Sequence, residues 1–477
     1  MTTITPHGGV CEIGGSKILL EDCDTKIFLD FGMSFSARQK YYMEYLNPRT
    51  AKGLGDFLAM NLTPDVKGIY REDLLNTIGR EKEDVEVDAL FLSHAHADHA
   101  NYISFLHEDI PIHCGETAWL LLKAIDESSQ RNIENEVIDF KKRPLMNWKV
   151  APVKRIFNTF KTGDKIKVGS LEIEPVHVDH SVPGAYGFII HTTEGAVVYT
   201  GDLRLHGLRP QMTLDFIEKA CESKPAAMLC EGTRIDIMKD NSSEAKVKRE
   251  SGKIIKHANR NKKFVISDFN FKDVDRMQTF FNLAVENDRK FLITLKGACF
   301  LKWVSKDEKL KNNIPKIKDE NIVIYQPKRR TGTYREQDYA AWERMYLKYD
   351  NIWTAEDVVQ NQDKVVASFT FYNMNELIDI KPDPAAVYIH SLSEPFNEEM
   401  EIDYERLKNW LKLFNLKMYQ RHASGHATGS DISEMVRKIK PKKLFPVHTE
   451  YPKLFKKLIR RKGIDITIVE REKEYKI

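Results

Sequence analysis

The segment Leu92–Ile103, LSHAHADHANYI, sets His94, His96, Asp98 and His99 within six consecutive positions behind an apolar run. Few folds can absorb that. Burying so many titratable side chains is costly unless they pair with one another or bind a cation. The preceding stretch VDALFLSH has the length and apolar character of a buried strand, which would deliver His94 at its end. Side chains at i and i+2 leave a strand on the same side, so His94 and His96 can address one metal. Asp98 and His99 would follow at a turn entering a helix over HANYISFLHE and address a second ion close by. Imidazole and carboxylate ligands suit zinc, with manganese and iron as alternatives. The competing account, a polar loop with incidental histidines, requires a chance coincidence of roughly one in a thousand.

A two-metal site needs more ligands than these four. Candidates stand at the ends of other expected strands: His180 in VDHSVPGAYG, Asp202 in YTGDLR and His448 in FPVHTE. Each alone is a weak signal. His177, His191, His206 and His422 are read as structural histidines.

With 477 residues the chain has room for two or three domains. The first 30 residues suggest paired strands, KILLEDCDTKIFLDFG containing two runs around a turn. Residues 33–86 are irregular and too long for a plain loop, so an insertion or lid is expected. GFIIHTTEGAVVYTGD is a hairpin pattern, and AAMLCEGT an apolar strand ending at Glu231. After Arg234 the rhythm becomes strand–helix alternation: KFVISD, the helical DRMQTFFNLAVEN, then KFLITL, NIVIY and KVVASFT. Leu407, Trp410, Leu411 and Phe414 mark a later helix, read as core. Near residue 420 the histidine-bearing style returns with RHASGHATGSD.

Composition excludes more than it selects. No apolar run approaches the ~18 residues of a membrane span, and no leader is visible. Six cysteines are scattered without a CxxC pair, against a disulfide framework or thiolate-bound zinc. An intracellular, cytoplasmic protein is expected. The net charge of +3 decides nothing about nucleic acid, but Arg437–Lys462 holds eleven Lys/Arg and one acid, and Lys302–Arg330 is also basic. Such runs are solvated faces or polyanion tracks.

Asp30, the HAHADH run, His180 and Asp202 together resemble the metallo-β-lactamase fold. CEGT with Glu231, ASGHA with His426 and PVHTE with His448 resemble the further motifs of the β-CASP nucleases, in an order most similar to ribonuclease J and its archaeal relatives. HTE stands where HGE is common, and Ala298 in LKGACF where relatives often carry arginine. The resemblance implies an α/β fold: a metallo-β-lactamase αββα sandwich (residues 1–233 and 420–477) interrupted by an inserted α/β β-CASP domain (234–419).

It further implies two divalent ions, zinc or manganese. His94, His96 and His180 would hold one; Asp98, His99 and His448 the other; Asp202 would bridge. Asp30 is expected to orient a ligand imidazole, or to cap the turn at Gly32. Catalysis would fall to Asp98, Asp202, Glu231 and His426, with His426 as general acid held by Glu231, and Ser424 and Gly425 holding phosphate oxygens. The implied activity is hydrolysis of single-stranded RNA by a metal-activated hydroxide, as a 5′-3′ exonuclease or an endonuclease, by a homodimer. A terminal-phosphate pocket could draw on Ser391, Ser393 and Arg276, and base stacking on Phe269, Phe271 and Tyr334. The alternatives are a DNA-processing relative, a hydrolase of a small ester or thioester, and an inactive RNA-binding scaffold.

Overall fold

The computed structural model describes residues 1–43, 45–144, 151–239, 242–395, 398–459 and 463–477. Glu44 of the expected lid and Arg460, Arg461 and Lys462 of the basic run lie outside the described residues. The chain divides into two compact units. One comprises Met1–Leu205, Arg209–Asp240 and Gly425–Ile477, the other His206–Leu208 and Asn241–Ser424.

The first unit is built on two sheets. One runs, neighbour to neighbour, Tyr475–Lys476, Thr2–Gly8, Lys17–Asp22, Thr25–Phe31, Ala89–Leu92, Ile112–Gly115 and Phe157–Phe160. The other runs Asp465–Ile466, Lys443–Val447, Ala227–Glu231, Gly195–Tyr199, Ala185–Thr192, Leu171–Val178 and Ile166–Val168. Ile4, Leu29 and Phe91 from the first sheet meet Ile173, Phe188 and Leu229 from the second in one apolar layer. On the outer face of the second sheet, Val198, Met228 and Leu444 pack against Phe216, Ile432 and Phe455 from helices Pro210–Glu222, Gly429–Ile439 and Pro452–Leu458. Val197 and Val198, or Leu229 and Met228, thus serve opposite layers, as the two-residue period of a strand requires. Helix Glu116–Ser128 covers the first sheet beside Ile112–Gly115 and Phe157–Phe160. The architecture is the expected αββα sandwich.

Strands Gly195–Tyr199, Ala227–Glu231 and Lys443–Val447 run parallel, as do Thr25–Phe31 and Ala89–Leu92. Their C-terminal ends therefore share an edge within each sheet, and the candidate residues follow those ends. One local expectation needs correction. The helix expected over HANYISFLHE is one α-turn, Ala97–Ala100, continued as a 3₁₀ turn, Asn101–Phe105. Residues 33–86 carry the short helices Phe35–Gln39, Gly55–Ala59 and Glu72–Asn76 and bury Leu54, Phe57, Tyr70, Leu74 and Leu75. The segment is pinned by fully buried Arg71, whose guanidinium donates to Asp73 at 2.6 and 2.9 Å and to the Ser104 carbonyl at 3.0 Å.

The second unit has a seven-stranded parallel sheet ordered Ile352–Trp353, Ile322–Tyr325, Lys290–Thr294, Val365–Ala367, Val265–Asp268, Val387–His390 and Lys417–Gln420. Leu407 and Leu411 of helix Glu398–Leu413 lie in its core, as read from the sequence. Phe269 does not fit a stacking role: it is 1% exposed and packs on Phe280. Arg276 is fully buried, donating to Glu244 at 2.8 and 3.1 Å and to the Ser391 carbonyl at 2.8 Å, so its guanidinium is engaged within the unit.

Candidate metal centre

All the expected ligands lie in the first unit and come together. His94 Nε2 and His180 Nε2 stand 3.0 and 3.2 Å from His96 Nδ1. Beside them, Asp98 Oδ2 lies 3.2 Å from His448 Nε2, and His99 Nε2 lies 3.2 Å from Asp202 Oδ2. Two separate donor sets result, His94, His96 and His180, and Asp98, His99, Asp202 and His448; a third group, His180, Asp202 and His426, overlaps both. Asp202 Oδ2 is within 3.7 Å of His94 Nε2 and His448 Nε2 and 4.0 Å of His180 Nε2, so one oxygen faces both sets.

Close packing holds this geometry. A Cβ on Gly32 would fall 1.7 Å from the Asp98 carbonyl oxygen, and one on Gly425 would fall 2.9 Å from His180 Cε1. Only glycine lets these backbones approach so closely. His180 Nδ1 donates to the Gly425 carbonyl at 2.6 Å, and His448 Nδ1 meets Thr233 Oγ1 at 2.8 Å. Asp30, fully buried at φ 59°, accepts from His99 Nδ1 at 2.7 Å. Of the histidines read as structural, His206 Nε2 donates to the Ser424 carbonyl at 2.9 Å and His422 Nδ1 to the Ser391 carbonyl at 3.2 Å, both within the second unit. Ser424 itself belongs to that unit, whereas Gly425 belongs to the first.

The residues fit divalent cations. Among the described residues, Asp202 Oδ1 is buried with no hydrogen-bond partner, a costly arrangement for a polar atom unless a ligand satisfies it. The 3.0–3.2 Å nitrogen separations in the first set are close to the ~3.3 Å edge of a tetrahedron with ~2.0 Å metal–nitrogen bonds. Electrostatics divide the sets. Burial drives His94 well below the usual imidazole range and His180 down to about 3, leaving neutral donors. Burial also opposes charge on His99, but Asp202, Asp30 and Asp98 outweigh it and raise its imidazole well above that range. Against burial, His99 and His448 hold Asp98 and Asp202 well below the carboxylate range. The two carboxylates of this second set favour protons on its imidazoles, His99 and His448, and a cation would replace those protons.

His426 adjoins both sets. Its Nδ1 lies 3.1 and 3.2 Å from the two Glu231 oxygens and 3.9 Å from Asp202 Oδ2. Burial disfavours its charge, yet Glu231 and Asp202 raise it to about 9. Glu231 is itself fixed by the backbone N–H groups of Leu203 at 2.9 Å and Thr233 at 3.2 Å. The sequence reading missed Ser93, Tyr199 and Thr233, which support ligands without being ligands. Only the places of Ser93 and Tyr199 at strand ends beside ligand-bearing loops could have flagged them.

Residues 65–223 match the family model described as "Beta-lactamase superfamily domain", and residues 414–469 match "Zn-dependent metallo-hydrolase RNA specificity domain". Ribonuclease J of Mycoplasma genitalium is 24% identical over 473 residues, covering 94% of this chain and 68% of that protein. Ribonuclease J of Helicobacter pylori (strain J99) is 22% identical, covering 94% and 56%, and that of Mycobacterium tuberculosis 22% identical, covering 93% and 68%. A solved structure, "Crystal Structure of a Protein of Unknown Function from Enterococcus faecalis V583", superposes with a TM-score of 0.73 at 21% identity, covering 99% of each chain. The sandwich, the converged donors and these matches define a protein of the metallo-β-lactamase fold. Within that class the chain is ribonuclease J-like.

Proposed function

We propose that this chain is a metal-dependent ribonuclease hydrolysing phosphodiester bonds of single-stranded RNA. The observation that carries the proposal is the convergence of the two donor sets, with the buried Asp202 Oδ1 lacking a hydrogen-bond partner among the described residues, beside the Glu231–His426 pair. His94, His96 and His180 would hold one ion, Asp98, His99 and His448 the other, with Asp202 between; zinc suits the donors best and manganese next. Divalent ions bound there supply Lewis acidity and a water acidified toward neutral pH. The chain does the rest. Glu231 keeps a proton on His426 for the leaving oxygen. The close approach of backbone at Gly425 offers an N–H donor to a non-bridging phosphate oxygen. We assign the unit Asn241–Ser424 as the β-CASP insertion, and action as a 5′-3′ exonuclease, by a homodimer, in the cytoplasm. The six cysteines form no disulfide with one another among the described residues, which suits a reducing compartment. RNA is favoured by the name of the model matched at residues 414–469 and by the ribonuclease J relatives.

The test incubates the protein with Zn²⁺ or Mn²⁺ and matched single-stranded RNA and DNA. Each is labelled at either end and bears a 5′-monophosphate, triphosphate or hydroxyl. RNA should shorten from its 5′ end. Cleavage of DNA alone would make the chain a DNA-processing relative, and turnover of a thioester with both polymers intact would overturn the nuclease reading.

A further inference from the structure

Asp30 carries more than one ligand. It closes the strand Thr25–Phe31 and is fully buried. Its Oδ1 accepts the Ser93 backbone N–H at 2.6 Å. Its Oδ2 accepts three further donors, each at 2.7 Å: Ser93 Oγ, His99 Nδ1 and Tyr199 Oη.

Proton counting then fixes the far end of the network. A carboxylate has no proton to give, so the Ser93 hydroxyl hydrogen points at Asp30. Ser93 Oγ is left with lone pairs only, and His94 Nδ1, 3.0 Å away, must be the donor to it. That tautomer leaves His94 Nε2 bare, facing His96 Nδ1 at 3.0 Å and Asp202 Oδ2 at 3.7 Å. On the other branch, His99 gives its Nδ1 proton to Asp30 and turns Nε2 toward Asp202 and Asp98, at 3.2 and 3.7 Å. His94 belongs to the first donor set and His99 to the second. One carboxylate therefore sets the ring orientation and free nitrogen of a ligand in each, directly for His99 and through one hydroxyl for His94.

We propose that Asp30 and Ser93 form a positioning bridge that couples the two metal subsites, so that occupying either organises the ligand of the other. Ser93 is the positioning residue for His94, and Tyr199 holds the carboxylate between its branches. This rests on the two-cation reading of the site. Two other ligands are held differently: His180 is oriented by the Gly425 carbonyl and His448 by Thr233 Oγ1, each serving a single set. Partners of this kind are worth ~10–100-fold in metal affinity.

The test is titration of metal-free protein with Zn²⁺ against a chromophoric chelator, which reads affinity and stoichiometry without RNA. Wild type should take up two ions with positive cooperativity. Ser93→Ala should weaken both steps by ~10–100-fold and abolish the cooperativity, with Ser93→Thr restoring them. Thr233→Val should weaken one step only. Tyr199→Phe, which keeps the ring and removes one donor to Asp30, should weaken both steps several-fold; it carries the test if thermal unfolding shows that metal-free Ser93→Ala is not folded. Independent uptake by wild type, a Ser93→Ala loss confined to one step, or unchanged binding in Tyr199→Phe would each overturn the bridge. Two independent ions with RNA cleavage intact would sink only the coupling. Failure to bind any divalent ion would sink the ribonuclease reading with it.

Discussion

His180 and His426 are neighbours, their rings 5.1 Å apart, yet their surroundings drive them to opposite charge states. Burial takes His180 down to about 3, while Glu231 and Asp202 overcome burial and lift His426 to about 9. One is thus kept neutral and the other kept protonated. His426→Ala should slow RNA cleavage by ~10²–10⁴-fold with metal content unchanged; loss of metal in that variant would make it a ligand instead. Glu231→Gln removes the charge that favours the imidazolium, so the alkaline limb of the rate profile should move to lower pH, and an unmoved limb would deny the pairing. At this scale the sequence showed what lies close in the chain. Four candidate ligands within six positions announce themselves, but nothing local separates His426 from His422. Ser93, one serine at the end of a strand, gives no signal until Asp30 is folded against it.

The strands were the readable elements because both faces of the second sheet are buried. Their sequences become continuous apolar runs that end at the functional loops. Helices of five residues, as in 33–86, complete less than two turns and give no periodicity to detect. Their order depends on distant partners such as the Ser104 carbonyl on Arg71. The tight seam between strand Thr25–Phe31 and the turn Ala97–Ala100 is likewise invisible in sequence, though Gly32 marks it. Gly32→Ala must displace the Asp98 backbone, since the added carbon would sit 1.7 Å from its carbonyl oxygen. We expect a loss of ~1–3 kcal/mol and reduced metal occupancy, read by thermal unfolding and metal analysis. Unchanged values in both would show that the seam can relax.

At the scale of the whole chain, one sandwich is assembled from both ends. Strand Lys443–Val447 pairs with Ala227–Glu231 and delivers His448 to Asp98, 350 positions away in sequence. The same fold buries Lys17 completely, its Nζ 5.2 Å from the centre of the Tyr102 ring, and pushes its pKa from 10.5 down to about 7. The native state then binds fewer protons than the unfolded chain between about pH 7 and 10.5. Stability should therefore rise with pH across that window, and the full penalty should be present below it. Lys17→Met should remove the slope and stabilise the protein at acidic pH by up to about 5 kcal/mol. A slope that survives the substitution would place its origin elsewhere.

Asp202 Oδ2 faces both donor sets. The most direct test counts bound divalent ions in folded wild type and Asp202→Ala while following cleavage of 5′-labelled single-stranded RNA by each. The prediction is two ions and cleavage for wild type, lost on chelation and restored by Zn²⁺ or Mn²⁺, with at most one ion and nearly no cleavage for the variant. Undiminished metal content and full cleavage in Asp202→Ala, or cleavage by wild type that survives complete chelation, would contradict it.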